Sequence, residues 1–195
     1  AQDVWGGQTS TSIVVTVTGS ASTPLVTDGL RLQLAADLGV TTNAAGAVIA
    51  WNDQSPSAYS AAPLDEATSP VLVPDALNGK PVLRFDGNNQ FLEVADDTSF
   101  TAGDMSTFAM VKFSNFSSFR TVWTKAANNL AAPLDWYYAS GSGIVNVYRG
   151  DGFAYGGGAA GGAAPAGVFA VVGLKVTGTT INTYLGYNPS GSINI

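Results

Sequence analysis

Catalysis by this chain would depend on carboxylates, because the sequence contains neither histidine nor cysteine. Nucleophilic catalysis of the Ser-His-Asp or Cys-His type is therefore excluded. Glycoside hydrolysis needs two acidic side chains that flank the scissile bond. The chain has only two glutamates, Glu66 and Glu93, and they form no paired motif. We expect a protein that is not an enzyme.

One stretch of the sequence concentrates the side chains that sugar-binding sites use. Aromatic rings offer a flat apolar face with a polar edge, and Arg and Asp supply hydrogen bonds to hydroxyls. The candidate glycan-binding residues are Trp136, Tyr138, Tyr148, Arg149, Asp151 and Tyr155. A carbohydrate-binding adhesin or lectin-like module is therefore one alternative function.

The composition is unusually poor in charge and excludes two classes of partner. Charged residues make up 11% of the chain, against about 25% in an average globular protein. The net charge is −6 and the eight basic residues are scattered, which argues against nucleic-acid binding. No apolar run reaches membrane-spanning length, so we expect no membrane insertion. A surface with so few charges is best tolerated when much of it is buried in an assembly.

The first 24 residues are organised differently from the rest. Residues 9–18 alternate like a strand, with Ile13, Val15 and Val17 on one face and Val14 and Thr16 on the other. Residues 19–24 form a Gly/Ser-containing linker. A detached strand can complete the sheet of another subunit through main-chain hydrogen bonds and alternating anchors. The linker would also let the strand fold back onto its own subunit. We therefore expect an assembly arm and linker at 1–24, anchored by Ile13, Val14, Val15 and Val17, and a β-sandwich at 25–195.

The remainder of the sequence predicts many short strands separated by Gly, Pro, Asn and Ser, with no long helical segment. This pattern is typical of an all-β sandwich or jelly roll. One short helical turn is expected at 96–99, and the low-complexity segment 156–167 is interpreted as a surface loop or as a side-chain-poor contact surface. Strands are expected at 30–34, 48–51, 81–85, 91–94, 106–113, 120–125, 134–139, 144–149, 168–177 and 180–187.

Three segments resemble a known family. They are LRLQLAAD at 30–37, WNDQS at 51–55 and LNGKPVLRFDG at 77–87. Together they resemble the laminin-G-like domains of the concanavalin A-like superfamily found in bacterial surface proteins. The resemblance implies a jelly-roll sandwich and an extracellular location. Residues 3–18 resemble the last strand of a cadherin-like or immunoglobulin-like repeat, which also permits a fragment of a longer adhesin.

The resemblance carries two further expectations. Such sandwiches often bind calcium through loop oxygens, which would fall here on Asp86, Asn88 and Asn89. Related domains carry acids where this chain has Asn89 and Gln90, which weakens the site. The family also continues past its final hairpin into a further strand. Residues 186–195 do not match that strand, so we expect a sandwich short of one strand.

These observations favour an extracellular, non-enzymatic structural subunit that forms a homopolymer by β-strand donation, in a filament or another surface assembly. The residues Ala1-Gln2-Asp3 fit a mature terminus left by cleavage after a small residue, which would place the protein outside the cytoplasm. An engineered or proteolytic start fits these residues equally well. The alternatives are the carbohydrate-binding module and a virion surface protein.

Overall fold

The fold is all-β. The structure, a computed structural model, describes residues 27–101, 103–127, 130–138, 143–150, 155–186 and 188–194. The described residues form fourteen strands and two 3-10 helices, Glu66–Thr68 and Thr98–Thr101. The second of these confirms the helical turn expected after Asp97, whose carboxylate caps the backbone N–H of Ser99 at 2.7 Å. Over the described ranges, no helix is long and apolar enough to cross a membrane.

The first half of the described chain forms two small antiparallel sheets. A four-stranded sheet has the order β1-β2-β3-β6, and a separate hairpin pairs β4 with β5. Asn78 and Gly79 both have positive φ at the tip of that hairpin, which is the backbone that a two-residue type I′ turn requires. The strands are β1 Val40–Thr42, β2 Val48–Asn52, β3 Ser60–Ala62, β4 Val71–Leu77, β5 Lys80–Arg84 and β6 Glu93–Val94.

The second half forms two four-stranded antiparallel sheets that enclose the main core. The β7 sheet has the order β14-β13-β12-β7, and the β8 sheet has the order β11-β10-β9-β8. The strands of the β7 sheet are β7 Met105–Lys112, β12 Phe169–Thr177, β13 Thr180–Leu185 and β14 Asn188–Asn194. Those of the β8 sheet are β8 Arg120–Ala127, β9 Leu130–Tyr138, β10 Ile144–Gly150 and β11 Tyr155–Ala163.

The core lies between these two sheets. Val172, Leu174 and Val176 alternate along β12 and are fully buried or nearly so, as is Ile181 on the paired strand β13. Val147 on β10 packs against them from the opposite sheet. Because side chains alternate across a strand, residues 173 and 175 of β12 must face away from this core. The β7 sheet therefore has an outer face, and its composition is described below.

Most of the predicted strands are confirmed, with ends that shift by a few residues. The strands predicted at 48–51, 81–85, 106–113, 120–125, 134–139, 144–149, 168–177 and 180–187 correspond to β2, β5, β7, β8, β9, β10, β12 and β13. The strand predicted at 91–94 contracts to the two residues of β6. The jelly-roll connectivity remains an expectation from the resemblance.

Three expectations about local structure are wrong. The segment 30–34 forms no ladder, because its backbone bonds to the loop 53–55 instead: Gln33 N–H donates to Asp53 and the Gln33 carbonyl accepts from Gln54 N–H. The expected loop at 156–167 is largely strand β11, paired with β10. The sandwich is not short of the strand after its last hairpin, since Asn188–Asn194 pairs along β13.

Strand β14 was not predicted because its sequence is mostly polar. Ile193 lies opposite Ile181 and packs on the core. The Thr183 hydroxyl, which is fully buried, lies 3.1 Å from the Ser190 hydroxyl. A short polar segment can therefore pair in the sheet because its hydroxyls find partners there.

Candidate functional site

Among the described acidic side chains, Asp53 in the WNDQS segment accepts the most hydrogen bonds. Its Oδ1 accepts from the backbone N–H groups of Gln33 at 2.7 Å and Ser55 at 2.8 Å. Its Oδ2 accepts from the Ser55 hydroxyl at 2.6 Å and the Tyr59 N–H at 3.0 Å. Burial raises the pKa of Asp53, but these hydrogen bonds outweigh it and hold the pKa below its usual value. Asp53 is therefore ionised, and its hydrogen bonds form a structural clip that joins Gln33 to the loop after β2.

Trp51 serves the same clip. Its indole Nε1–H donates to the Ala35 carbonyl at 2.9 Å. The Ser55 hydroxyl oxygen also lies 3.1 Å from the Arg31 carbonyl oxygen. The side chains of Trp51, Asp53 and Ser55 therefore hold residues 31–35 against the loop after β2. The polar groups of this segment are engaged in hydrogen bonds within the chain.

The residues expected to hold calcium lie together in the turn 86–90. Asp86 Oδ1 accepts from Asn88 N–H at 2.8 Å, and Asp86 N–H donates to the Gln90 side chain at 2.8 Å. Asn89 donates to the Ala67 carbonyl at 3.4 Å. These bonds close the turn in the way Asp and Asn commonly do. Calcium binding at Asp86, Asn88 and Asn89 stays a prediction.

Other loop aspartates have structural partners. Asp96 lies 2.6 Å from the Lys125 amine, and Asp104 accepts from Gly178 N–H at 2.8 Å. Glu66 accepts from the Asn43 amide at 2.9 Å. Within the described part of the chain, no three acidic side chains lie close enough together to hold a metal ion.

The candidate glycan-binding residues are divided by the strand register. On β9 and β10, Trp136 lies opposite Val147 and Tyr138 lies opposite Val145, whereas Tyr148 lies opposite Asp135. Arg149 and Tyr155 lie opposite Gly156 and Gly150. Positions 136, 138 and 149 thus lie on the same face of the sheet as the core position 147, while positions 148 and 155 lie on the opposite face. Asp151 falls outside the described residues.

Strand β7 carries apolar side chains on both of its faces. Met105, Thr107, Ala109 and Val111 are half-buried toward the core. The outward side chains of Phe108 and Met110 are 59% and 55% exposed. A strand that is apolar on both faces is typical of one covered on both sides. Here the outer side of β7 lacks such a cover among the described residues.

The outer face of β7 continues as an apolar patch across β12 and β13. We call the set Phe108, Met110, Phe169, Val171 and Tyr184 the outer patch. The ring centroids of Phe108 and Tyr184 lie 6.0 Å apart. The Phe108 ring rests directly on Gly173, where an added Cβ would come within 2.3 Å of the ring. Only glycine leaves room for the ring in this position.

Beside the outer patch, one edge of β7 has no partner among the described strands. β7 is the last strand of its sheet, and its one described partner is β12. No further backbone hydrogen bond joins Met105–Lys112 to the other described residues. The arm residues Ile13, Val14, Val15 and Val17 belong to a segment outside the described ranges. Exposed edges next to apolar surface are sites of strand addition or aggregation.

Comparisons of the chain with protein-family models, with curated proteins and with solved structures find no match.

Sequence reasoning missed Phe108 and Met110 as exposed residues, and Gly173 as the residue on which the Phe108 ring rests. The signal was present in segment 106–113, which carries Phe108 and Met110 at alternate positions to Ala109 and Val111. Such a strand predicts two covered faces. The sequence alone could not show that one of those faces lies at the outside of the described structure.

Proposed function

We propose that this chain is a non-enzymatic, extracellular structural subunit that polymerises with copies of itself by β-strand donation. Its N-terminal arm supplies the strand, and a laminin-G-like jelly roll supplies the acceptor sheet. The partners are copies of the same chain, with no role for nucleic acid.

The observation that carries this proposal is the edge of β7 that no described strand pairs with, next to the exposed side chains of Phe108 and Met110. Soluble monomers rarely leave an apolar patch beside an open edge, since both promote association. An assembly that buries the edge and the patch removes both liabilities at once.

Two features of the sequence support the same conclusion. Charged residues are only 11% of the chain, which suits a surface that is largely covered by neighbours. Residues 1–26 contain one charged side chain, Asp3, and an alternating run at 12–18. A nearly uncharged alternating strand suits insertion beside another strand.

The direct test is the size of the particles formed by the intact protein and by a variant lacking residues 1–20. Light scattering and electron microscopy should show polymers for the former and monomers for the latter. Val15→Asp should also prevent polymer formation, because it places a charge on the face that carries Ile13 and Val17. Thr16→Asp, which adds the same charge to the opposite face, is the matched control and should interfere less.

Salt provides a second criterion. Because the proposed contact is made by apolar side chains and main-chain hydrogen bonds, raising the ionic strength should not dissolve the polymer. Normal polymerisation without residues 1–20 would refute strand donation. Turnover of a β-glucan that disappears in Glu93→Gln would refute the non-enzymatic part.

A further inference from the structure

We infer that the acceptor for the arm is the outer edge of β7, and that residues 9–18 of a second copy add there as a fifth strand of the β7 sheet. This inference rests on the proposed function and names the place where it acts. The occupant is a segment of this same chain, chosen because it lies outside the described residues and has the length and alternation of a strand.

The opposite edge of the β7 sheet is already occupied. Strand β14 pairs along β13 within the same chain, and β11 packs against β14. The contact is close, since a Cβ added at Gly162 would lie 3.7 Å from the Ser190 Cβ and 3.8 Å from a Leu185 methyl. β14 also carries Pro189 and faces a register shift at Thr183/Tyr184. An incoming strand has neither space nor a regular ladder there.

The other edges carry features that natural proteins use to discourage strand addition. β4 contains Pro74 and a register shift between Val73 and Leu77. β5 contains Pro81 and is flanked by the charged side chains of Lys80 and Arg84. β1 and β6 have only three and two residues.

The free side of the β8 sheet is obstructed as well. On β8, the Lys125 amine binds the Asp96 carboxylate at 2.6 Å and the Asp97 carbonyl at 3.2 Å. The register of β8 with β9 shifts twice. The β8 edge is therefore irregular and has residues 96–97 tied to its side chain.

β7 has none of these features. It pairs with β12 over eight consecutive positions without a register shift, from Phe169↔Lys112 to Val176↔Met105. It contains no proline, and its one charged residue, Lys112, stands at its end. Eight residues span about 26 Å, which an arm of ten residues covers completely.

The two faces of the arm match the two faces of β7. Met105, Ala109 and Val111 are only half-buried at the margin of the core. An added strand would place Ile13, Val15 and Val17 on this side, extending the core by one row. Val14 and Thr16 would then lie beside Phe108 and Met110. The wholly apolar face of the arm therefore meets the apolar margin of the core.

The test exploits the absence of cysteine in the native chain. One variant carries Ser106→Cys, on the outward face of β7, and the matched control carries Ser192→Cys, which is exposed on β14. Each is mixed under mild oxidation with full-length arm variants Val14→Cys, Thr16→Cys or Thr18→Cys. Because register fixes which residues are opposite, at least one arm position should cross-link with 106.

The expected result is a disulfide-linked dimer between Ser106→Cys and one of the arm variants, seen on a non-reducing gel. The Ser192→Cys control should form no such dimer with any arm variant. Cross-linking at 192 but not at 106, in a protein that polymerises and needs its arm, would overturn the β7 acceptor while leaving strand donation intact. Polymers that do not need the arm would overturn both. Cross-linking within one molecule of a double variant, and none between mixed molecules, would assign the arm to its own subunit and refute the second-copy occupant.

Discussion

Replacement of Asp53 tests the structural clip that joins residues 31–35 to the loop after β2. In Asp53→Asn, the retained oxygen can still accept from the backbone N–H groups of Gln33 and Ser55. The new NH₂ group takes the place of Oδ2, where the Ser55 hydroxyl can turn and become an acceptor. The Tyr59 N–H cannot adapt, because it is left facing a donor. One lost bond to a charged group corresponds to about 1.5–3 kcal/mol of unfolding free energy.

Asp53→Ala removes all four bonds and should be more destabilising. Because the site is half-buried, water can replace part of the loss, and we expect about 3–5 kcal/mol in total. The assay is urea unfolding followed by intrinsic fluorescence. Asp28→Asn, at an exposed position, removes the same charge without those bonds and should stay within about 0.5 kcal/mol of the parent protein. A cost for Asp53→Asn no larger than that of the control would refute the clip.

Acid should lower the unfolding free energy through Asp53 and Asp97, whose hydrogen bonds hold both pKa values below the usual 3.8. The stability that these two carboxylates contribute is complete above that value and is lost as the pH falls through the lower folded-state pKa. Asp53→Asn should therefore make the unfolding free energy depend less on pH in the acid range. Gly173→Ala should cost about 1–3 kcal/mol by forcing the Phe108 ring off the sheet, and the cost should largely vanish in a Phe108→Ala background, as a double-mutant cycle would measure. Leu174→Ala, at a fully buried position, should cost about 2–5 kcal/mol in thermal or urea unfolding. If Leu64→Ala, at an exposed position, lowered the unfolding free energy as much as Leu174→Ala, the assignment of the core would be wrong.

Strands whose apolar residues alternate clearly could be predicted from the sequence, and segment 30–34 shows why that signal can fail. Leu30, Leu32 and Leu34 alternate as a strand should, yet the backbone of Gln33 bonds to Asp53 and Gln54 in a distant loop. Periodicity reports which side chains face the interior and not which groups satisfy the backbone.

β11 and β14 were missed for the opposite reason, since their sequences carry little periodic apolar signal. Tyr155–Ala163 is mostly glycine and alanine, and its pairing with β10 depends on the neighbouring strand rather than on its own preference. In β14, Ser190 pairs with the hydroxyl of Thr183. Tertiary context therefore decided both elements.

For the candidate site, the sequence led to the residues most conspicuous in type and not to the edge of β7. Asp86 attracts attention as a possible calcium ligand, and in the structure its carboxylate also closes a turn by accepting from Asn88 N–H. The position of β7 at the edge of its described sheet depends on strand order, which pairs β7 with β12 rather than with its sequence neighbour β8. No local pattern encodes that order.

The pairing of β7 with β12 also has a consequence for synthesis. Lys112 lies opposite Phe169, so β7 leaves the ribosome well before its partner exists. At about 5–20 residues per second, the intervening roughly 60 residues take about 3–12 s to be made. During that interval both edges of β7 lack their partner strands, and both of its faces are uncovered. One face carries Phe108 and Met110, and the other carries Ala109 and Val111. A nascent chain with these side chains uncovered is prone to association, and its yield on expression should respond to translation rate more than to the stability of the finished protein.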